Sequence, residues 1–237
     1  MIMNSCSNHN TLSIGHRGAK GYVAENTYES ISKAMELNVD GIEIDVFKCA
    51  SGELVLFHDE DLKKLTGEPG SIENLTIKEI EQFLVLGKFK IPTLKDVLIK
   101  IEQPILVNIE LKGSDTAEAT SKIIQYFVKD TSWSLENFIV SSFNWLELEQ
   151  FRLVDKNIPV GVLFSRSVSI NEAIEFGKKI DAQAIHPNYK LLNDNSVKKI
   201  KNNGFKIYTW TVNNIDDINL MKKLKVDGII SDFPDKI

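Results

Sequence analysis

The sequence of 237 residues has only two cysteines and lacks any long hydrophobic run. Two thiols, Cys6 and Cys49, are too few for a disulfide framework, and their spacing excludes a CxxC zinc or redox motif. No segment approaches the roughly 18 uninterrupted apolar residues that a transmembrane helix needs. We therefore expect two reduced thiols and no membrane-spanning segment.

The chain also lacks an excess of basic residues and a recognisable leader. Its net charge of −5 and pI of about 5.5 argue against nucleic acid or an anionic membrane surface as a partner, but they allow a small basic pocket. The amino terminus, MIMNSCSNHNTLSIGHRG, has no basic n-region and no apolar run of signal-peptide length. These absences predict a cytoplasmic protein. They leave its oligomeric state, monomer or homodimer, open.

What the sequence does contain is a regular alternation of short β-rich runs and longer amphipathic runs. The predicted strands lie at 11–15, 40–46, 104–111, 137–141, 159–163, 182–186, 205–211 and 227–231. Eight strands alternating with helices at this length predict an α/β fold, a (β/α)₈ TIM barrel that forms one catalytic domain over residues 1–237. A doubly wound open sheet is the alternative, although GHRGAKG does not match the GxGxxG phosphate loop of that fold.

One connection of the predicted barrel is much longer than the others. Almost sixty residues separate the second strand from the strand at 104–111. We interpret Ser51-Gly52 as a turn and the following ELVLF as an extra strand that pairs back in a hairpin. The short insertion after it, at about 59–104, lies at the face where barrel active sites form.

Carboxylates occur inside two strands that should be apolar. Glu43 and Asp45 in DGIEIDVF are two residues apart and share one face of their strand, and Asn108, Glu110 and Lys112 in NIELK show the same spacing. Alone, each pattern also fits an edge strand with one wet face. Together, three carboxylates within buried strands would cost several kcal/mol each unless they are paired or bound to a cation.

Histidines and cations follow the same set of predicted strands. His16 and Arg17 follow the first strand, and His58 follows the hairpin strand. Alone, a histidine after a strand is more often a structural group than a catalyst, just as Asp232 can cap a turn and Trp210 can belong to the core. In combination, however, these groups lie at strand ends, where barrel enzymes carry their catalytic residues.

The combined set predicts phosphodiester chemistry. Oxygen ligands from Glu43, Asp45 and Glu110 favour one hard divalent cation, Mg²⁺ or Ca²⁺, with Mn²⁺ as an alternative, over zinc. Arg17 and Lys112 can compensate the surplus negative charge and bind an oxyanion. The histidines His16 and His58 can serve as an acid/base pair around that oxyanion.

The order of these motifs resembles the glycerophosphodiester phosphodiesterases, within the barrel superfamily that includes the phosphatidylinositol-specific phospholipases C. The resemblance runs from about residue 12 to 234 through GHRG (15–18), ENT (25–27), GIEIDV (41–46), LVLFHD (54–59), IPTL (91–94), NIELK (108–112), SSF (141–143), TWTVN (209–213) and DGIISDFP (227–234). It implies the metal ligands, the acid/base pair and the phosphate-binding cations already selected. It adds Trp210 as a pocket wall and Glu25 and Asn26 as supporting residues.

By resemblance, the substrates are small glycerophosphodiesters such as glycerophosphocholine and glycerophosphoethanolamine, hydrolysed to sn-glycerol 3-phosphate and an alcohol. Lysophospholipase D activity and a lyase reaction that ends at a cyclic product are alternatives at the same site, as is a barrel that only binds a phosphometabolite. Two departures from the family pattern, Ser51-Gly52 before the HD strand and Lys64-Leu65-Thr66 after it, concern the substrate range. We assign His58 as the acid and His16 as the base.

Overall fold

The structure is a computed structural model that describes residues 10–237, so Cys6 and the amino-terminal segment lie outside the described residues. The strands in this part of the chain are β1 (Leu12–His16), β2 (Gly41–Lys48), β3 (Leu54–Leu56), β4 (Leu84–Val85), β5 (Phe89–Lys90), β6 (Leu106–Leu111), β7 (Phe138–Ser142), β8 (Val160–Phe164), β9 (Ala184–Pro187), β10 (Lys206–Thr209) and β11 (Gly228–Ser231). The α-helices are α1 (Tyr28–Glu36), α2 (Lys63–Thr66), α3 (Ile77–Ile80), α4 (Leu94–Lys100), α5 (Ala117–Asp130), α6 (Trp145–Val154), α7 (Ile170–Lys179), α8 (Asp194–Asn202) and α9 (Ile215–Lys223).

Eight parallel strands close into a barrel, which confirms the predicted (β/α)₈ architecture. Their order around the barrel is β1, β11, β10, β9, β8, β7, β6 and β2, and β2 pairs in turn with β1, so the ring of strands has no open edge. At least one α-helix follows each of the first seven of these strands in the chain, as parallel pairing requires. The doubly wound alternative is excluded because that sheet would remain open.

Strand β2 is paired on both sides and almost entirely buried, so it is not a wet edge strand. Instead, the alternating side chains of β2 face two different environments, one on each side of the strand. Ile42, Ile44 and Val46 pack in the large apolar layer between the barrel and its helices. Glu43 and Asp45 point to the other side, into the barrel, where Glu43 lines a cavity and Asp45 lies beside it.

Helix α1 begins at Tyr28, directly after a capping residue. The hydroxyl of Thr27 accepts a hydrogen bond from the Ser30 amide, so Thr27 is the N-cap. Asn26, the residue before it, is also of a type that caps helices. It adopts a left-handed backbone conformation with φ of 56° and turns its side chain towards β2 instead.

The long connection between β2 and β6 begins with the predicted hairpin. Strand β3 pairs antiparallel with β2, and Gly52 in the turn has a φ of +102° that suits glycine. The connection then forms its own apolar cluster, which includes Val55, Phe57, Leu62, Ile72 and Ile80. The cluster anchors the segment that carries His58.

Within the described residues, none of the helices has the length and apolar character needed to cross a bilayer.

Candidate active site

A cavity opens at the carboxyl-terminal ends of the barrel strands. Its lining is formed by His16, Arg17, Glu43, His58, Asn108, Glu110, Phe143, Leu163, Trp210, Thr211 and Ile230. One side of this lining is charged and the other is apolar. Most of the residues selected from the sequence therefore come together in space, although up to 194 positions separate them along the chain.

Three carboxylates form a compact cluster in this cavity. One oxygen from each of Glu43, Asp45 and Glu110 lies within 4.8 Å of the others, and the three residues are between 1% and 8% exposed. The register of the barrel explains the cluster, because Asp45 on β2 is directly beside Glu110 on β6. The spacing of two within β2 adds Glu43 on the same face.

The carboxylate cluster is electrostatically costly as it stands. Burial, followed by the negative charges of Asp45 and Glu110, raises the pKa of Glu43 well above its usual range. Burial and the charge of Asp45 likewise raise the pKa of Glu110 to about 7. One oxygen of Glu43 and one of Asp45 are buried without a hydrogen-bond partner among the described residues. This set of hard oxygen donors fits a divalent cation such as Mg²⁺ or Ca²⁺.

Two cations already contact the cluster. The Nε atom of Arg17 lies 3.1 Å from Asp45, and Nζ of Lys112 lies 2.7 Å from Glu110 and 3.8 Å from Asp45. Burial disfavours the charged forms, but the surrounding carboxylates outweigh it and raise the pKa of both Arg17 and Lys112. Both side chains therefore stay protonated beside the cluster.

His16 is held in a defined orientation by a chain of hydrogen bonds. Its Nδ1 atom lies 2.6 Å from Oδ1 of Asp232, while its Nε2 atom lies 3.9 Å from Glu43. The amide of Asn213 donates to the other oxygen of Asp232, at 2.8 Å. Burial lowers the pKa of His16 despite the hydrogen bond with Asp232. The neutral ring therefore donates from Nδ1 and presents Nε2 as an acceptor.

His58 has an equivalent arrangement on a different element. Its Nδ1 atom lies 2.6 Å from Oδ1 of Asp59, and Nζ of Lys64 lies 2.9 Å from the other oxygen of that carboxylate. Burial lowers the pKa of His58, and it outweighs the opposing charge of Asp45. The His58 side chain is 27% exposed, compared with 13% for His16. His58 is thus the histidine nearer to solvent.

Glu25 and Asn26 contact charged residues of the site from behind. Glu25 accepts from Nη1 of Arg17 at 2.6 Å and pairs with Lys20 at 3.1 Å. The Asn26 amide donates to Oδ2 of Asp45 at 2.9 Å and accepts from the Asp45 backbone amide at 3.2 Å. Glu25 therefore holds Arg17 in position, and Asn26 holds Asp45.

The apolar wall is built on aromatic contacts. Trp210 follows β10, and its indole N–H donates to the carbonyl of His186 at 2.9 Å. The ring of Phe143 meets the Trp210 ring edge to face, with 5.2 Å between the centroids. Leu163 completes this side of the cavity.

Several members of this site were not predicted from the sequence. Asp59, Asn108 and Phe143 had no role there, and Asp232 was either a turn cap or one of the polar groups at strand ends, without a named partner. The carboxylate of Asp232 forms hydrogen bonds with His16 and Asn213. In the turn itself, the hydroxyl of Ser231 accepts a hydrogen bond from the backbone amide of Phe233. The adjacency of His58 and Asp59 was a usable signal. No signal in the sequence joins positions 16 and 232.

Comparison with known proteins gives consistent results. A model of the glycerophosphoryl diester phosphodiesterase family matches residues 16–236. A glycerophosphodiester phosphodiesterase of Caldanaerobacter subterraneus subsp. tengcongensis is 34% identical over 96% of this chain and 96% of that protein.

Solved structures show the same similarity in three dimensions. A phosphodiesterase of Oleispira antarctica, in complex with the product sn-glycerol-3-phosphate, has a TM-score of 0.85 at 27% identity, covering 94% of each chain. A glycerophosphodiester phosphodiesterase of Thermotoga maritima has a TM-score of 0.81 at 29% identity, covering 96% of this chain and 97% of that one. Sequence and fold therefore agree over nearly the whole length.

Proposed function

The chain belongs to the glycerophosphoryl diester phosphodiesterase family, and we propose that it hydrolyses glycerophosphocholine, glycerophosphoethanolamine and similar diesters to sn-glycerol 3-phosphate and an alcohol. The product complex of the Oleispira antarctica phosphodiesterase supports this choice of substrate. We further propose one catalytic domain that includes the short insertion at 59–104, because that insertion carries the carboxylate that pairs with His58.

The observation that carries the proposal is the cavity itself. Two histidines, each with its Nδ1 atom 2.6 Å from a carboxylate, line the same cavity as Arg17, Glu43 and Glu110. The two glutamates belong to the three-carboxylate cluster that Arg17 and Lys112 contact. Diester hydrolysis needs a group that takes a proton from the nucleophile, a group that gives one to the leaving alcohol and positive charge at the phosphate. The cavity contains candidates for each task.

Glu43, Asp45 and Glu110 would hold one divalent cation, Mg²⁺, Ca²⁺ or Mn²⁺. One buried oxygen of Glu43 and one of Asp45 accept no hydrogen bond, which supports this assignment, since a bound cation would compensate them. When bound, the ion supplies Lewis-acid stabilisation of charge on the phosphate. The roles of Asn26 and Glu25 are to hold Asp45 and Arg17 in place for this task.

Arg17 and Lys112 bind the phosphate oxygens. Each is protonated and lies beside the carboxylate cluster, so each can shift a hydrogen bond from a carboxylate to an incoming phosphate. The guanidinium of Arg17 offers two parallel donors, and Lys112 offers a compact charge. Both stabilise the negative charge that develops on the phosphate as the nucleophile adds.

The two histidines move the protons. Nε2 of His16, deep in the cavity and beside Glu43, takes the proton from the nucleophile. His58, closer to solvent, acts in its protonated form, which the neighbouring carboxylates of Asp59 and Asp45 favour. Its Nε2 gives a proton to the oxygen of the leaving alcohol, which can then depart through the open side. The nucleophile is water or the glycerol 2-hydroxyl, which would form a cyclic phosphate first. Trp210 walls the cavity on its apolar side.

A substrate panel tests the proposed function. Purified protein with Mg²⁺, Ca²⁺ or Mn²⁺ is assayed on glycerophosphocholine, glycerophosphoethanolamine, glycerophosphoinositol and lysophosphatidylcholine. The readout is sn-glycerol 3-phosphate for the first three substrates and lysophosphatidic acid for the lysolipid. We expect sn-glycerol 3-phosphate from the first three substrates. Turnover of only the lysolipid would indicate lysophospholipase D activity, and a cyclic phosphate as the final product would indicate a lyase. Oxygen-18 water, with a chase of the cyclic phosphate, separates the two routes to the same product.

A further inference from the structure

Asn108 is one of the residues that line the site, and the proposed mechanism gives it no task. It is on β6, two residues before Glu110, so both side chains are on the barrel's inner face. In the barrel register it lies between Glu43 on β2 and Ile139 on β7. The side chain lines the active-site cavity.

The amide of Asn108 is buried without a partner. Its side chain is 1% exposed, and neither Oδ1 nor Nδ2 has a hydrogen-bond partner among residues 10–237. A buried amide that makes no hydrogen bond destabilises the folded protein, and such groups in native structures usually serve a ligand or a water molecule. Because this amide lines a cavity, a ligand can reach it.

Asn108 differs from the other buried, uncharged side chains that lack a hydrogen-bond partner, because it lines the cavity. Ser141, Thr120 and His186 also have polar atoms without partners in the described part of the chain. None of these three lines the cavity, whereas Asn108 does. Among the uncharged groups of this kind in residues 10–237, Asn108 alone lines the cavity. Ser141 lies on the neighbouring strand, in register with Glu110, and so provides a matched control.

The chemistry of the amide indicates what it binds. Its Oδ1 accepts hydrogen bonds and its Nδ2 donates them, while the group carries no charge. The cations Arg17 and Lys112 already serve the phosphate, and an amide adds little to them. A neutral hydroxyl is a better complement, because it can donate to Oδ1 and accept from Nδ2. The glycerol part of the proposed substrate carries two such hydroxyls.

We propose that Asn108 binds the glycerol hydroxyls of the substrate and thereby selects glycerol over other alcohols esterified to the phosphate. This proposal rests on the proposed function and goes beyond it, because it names the residue that recognises the glycerol part. A site built to hydrogen-bond a hydroxyl discriminates strongly against an analogue that lacks it, since the polar group of the protein is then left unpaired. Asn108 is therefore a specificity residue.

Paired variants and substrates test this proposal. Asn108→Leu, which keeps the number and branching of the side-chain heavy atoms, and Asn108→Ala are compared with Ser141→Ala and the wild type. The substrates are glycerophosphocholine, its analogue with a 2-hydroxypropyl group and its analogue with a propyl group, which have two, one and no hydroxyls. We expect Asn108→Leu to lower kcat/KM about 10²-fold on glycerophosphocholine and far less on the propyl analogue. Ser141→Ala should not change the ratio between substrates.

Binding measurements separate the remaining explanations. Calorimetry with sn-glycerol 3-phosphate should show weaker binding to Asn108→Leu, while binding of inorganic phosphate and of Mg²⁺ should be unchanged. Equal losses on all three substrates, or weaker Mg²⁺ binding, would overturn the proposal and make Asn108 a structural or cation-binding residue. Thermal unfolding identifies a variant that fails to fold, and Asn108→Ala then takes its place. A wild type that is inactive on every diester would instead refute the proposed function.

Discussion

The Nδ1 atom of His16 lies 2.6 Å from Oδ1 of Asp232, across the seam where the first and last strands of the barrel meet. His16 ends β1, and Asp232 comes directly after β11. The pairing of these two strands closes the barrel and brings together residues that are 216 positions apart. Closure of the fold and orientation of the histidine therefore depend on the same strand pair.

Replacement of Asp232 should damage catalysis more than stability. In Asp232→Asn the carboxylate that favours donation from Nδ1 of His16 is gone, so the ring can adopt the wrong tautomer. We expect kcat to fall about 10²-fold or more, as in other histidine–aspartate pairs. Asp235→Asn is the matched control, because Asp235 is exposed and only accepts from the Tyr22 hydroxyl. Equal activity of the two variants would show that Asp232 does not position His16.

Each of the two histidines should be individually necessary. His16→Ala and His58→Ala are each expected to lower kcat by roughly 10²–10⁴-fold, the usual contribution of a general acid or base. Circular dichroism and thermal unfolding check that the fold is intact. An activated substrate with a p-nitrophenol leaving group needs little protonation, so it should restore activity to the variant of the acid only. Wild-type turnover by either variant would be incompatible with the proposed pair.

Removal of divalent cations should abolish activity reversibly. The acidic cluster of Glu43, Asp45 and Glu110 has a surplus of negative charge that a cation would compensate. We expect EDTA to eliminate product formation and Mg²⁺, Ca²⁺ or Mn²⁺ to restore it. Added cation should also raise the Tm of the wild type, because a ligand that binds only the folded state stabilises it. Glu43→Gln should show a smaller rise. Full activity in the chelator would eliminate the metal role.

The buried His186 should make stability fall in acid. It lies against Gly161 inside the barrel, with its ring 5.2 Å from that of Tyr208, and burial lowers its pKa to about 3. The unfolded chain, with a histidine pKa of about 6.5, binds a proton between these values that the folded state does not. The free energy of unfolding therefore decreases as the pH falls below about 6.5.

The measurement is urea unfolding of the wild type and His186→Gln at pH 7 and pH 5. Between these pH values, the wild type should lose about 2 kcal/mol more stability than the variant, which lacks the titrating group. The comparison cancels the contributions of His16 and His58, which both proteins contain. Parallel stability profiles would mean that His186 is protonated in the folded state or is paired there.

Much of the fold was predictable because the periodicity of hydrophobic residues depends only on neighbours in the sequence. The β2 segment is a good example, since an alternation of Ile with Glu and Asp specifies a strand and its two faces without reference to the rest of the chain. Capping was less predictable. Asn26 and Thr27 are equally suited to start α1, and only the contact between Asn26 and Asp45 decides that Thr27 is the cap.

The sequence by itself determined the strand–helix alternation, the face that carries Glu43 and Asp45, and the chemical types at the strand ends, because each depends on neighbours a few residues apart. Tertiary structure decided which of those groups meet. The registers of β2 with β6 and of β1 with β11 bring Asp45 beside Glu110 and close the seam where His16 meets Asp232. They also leave the amide of Asn108 buried and facing the cavity. Such contacts depend on barrel closure and strand register, which are set by packing across the whole molecule and by no local pattern.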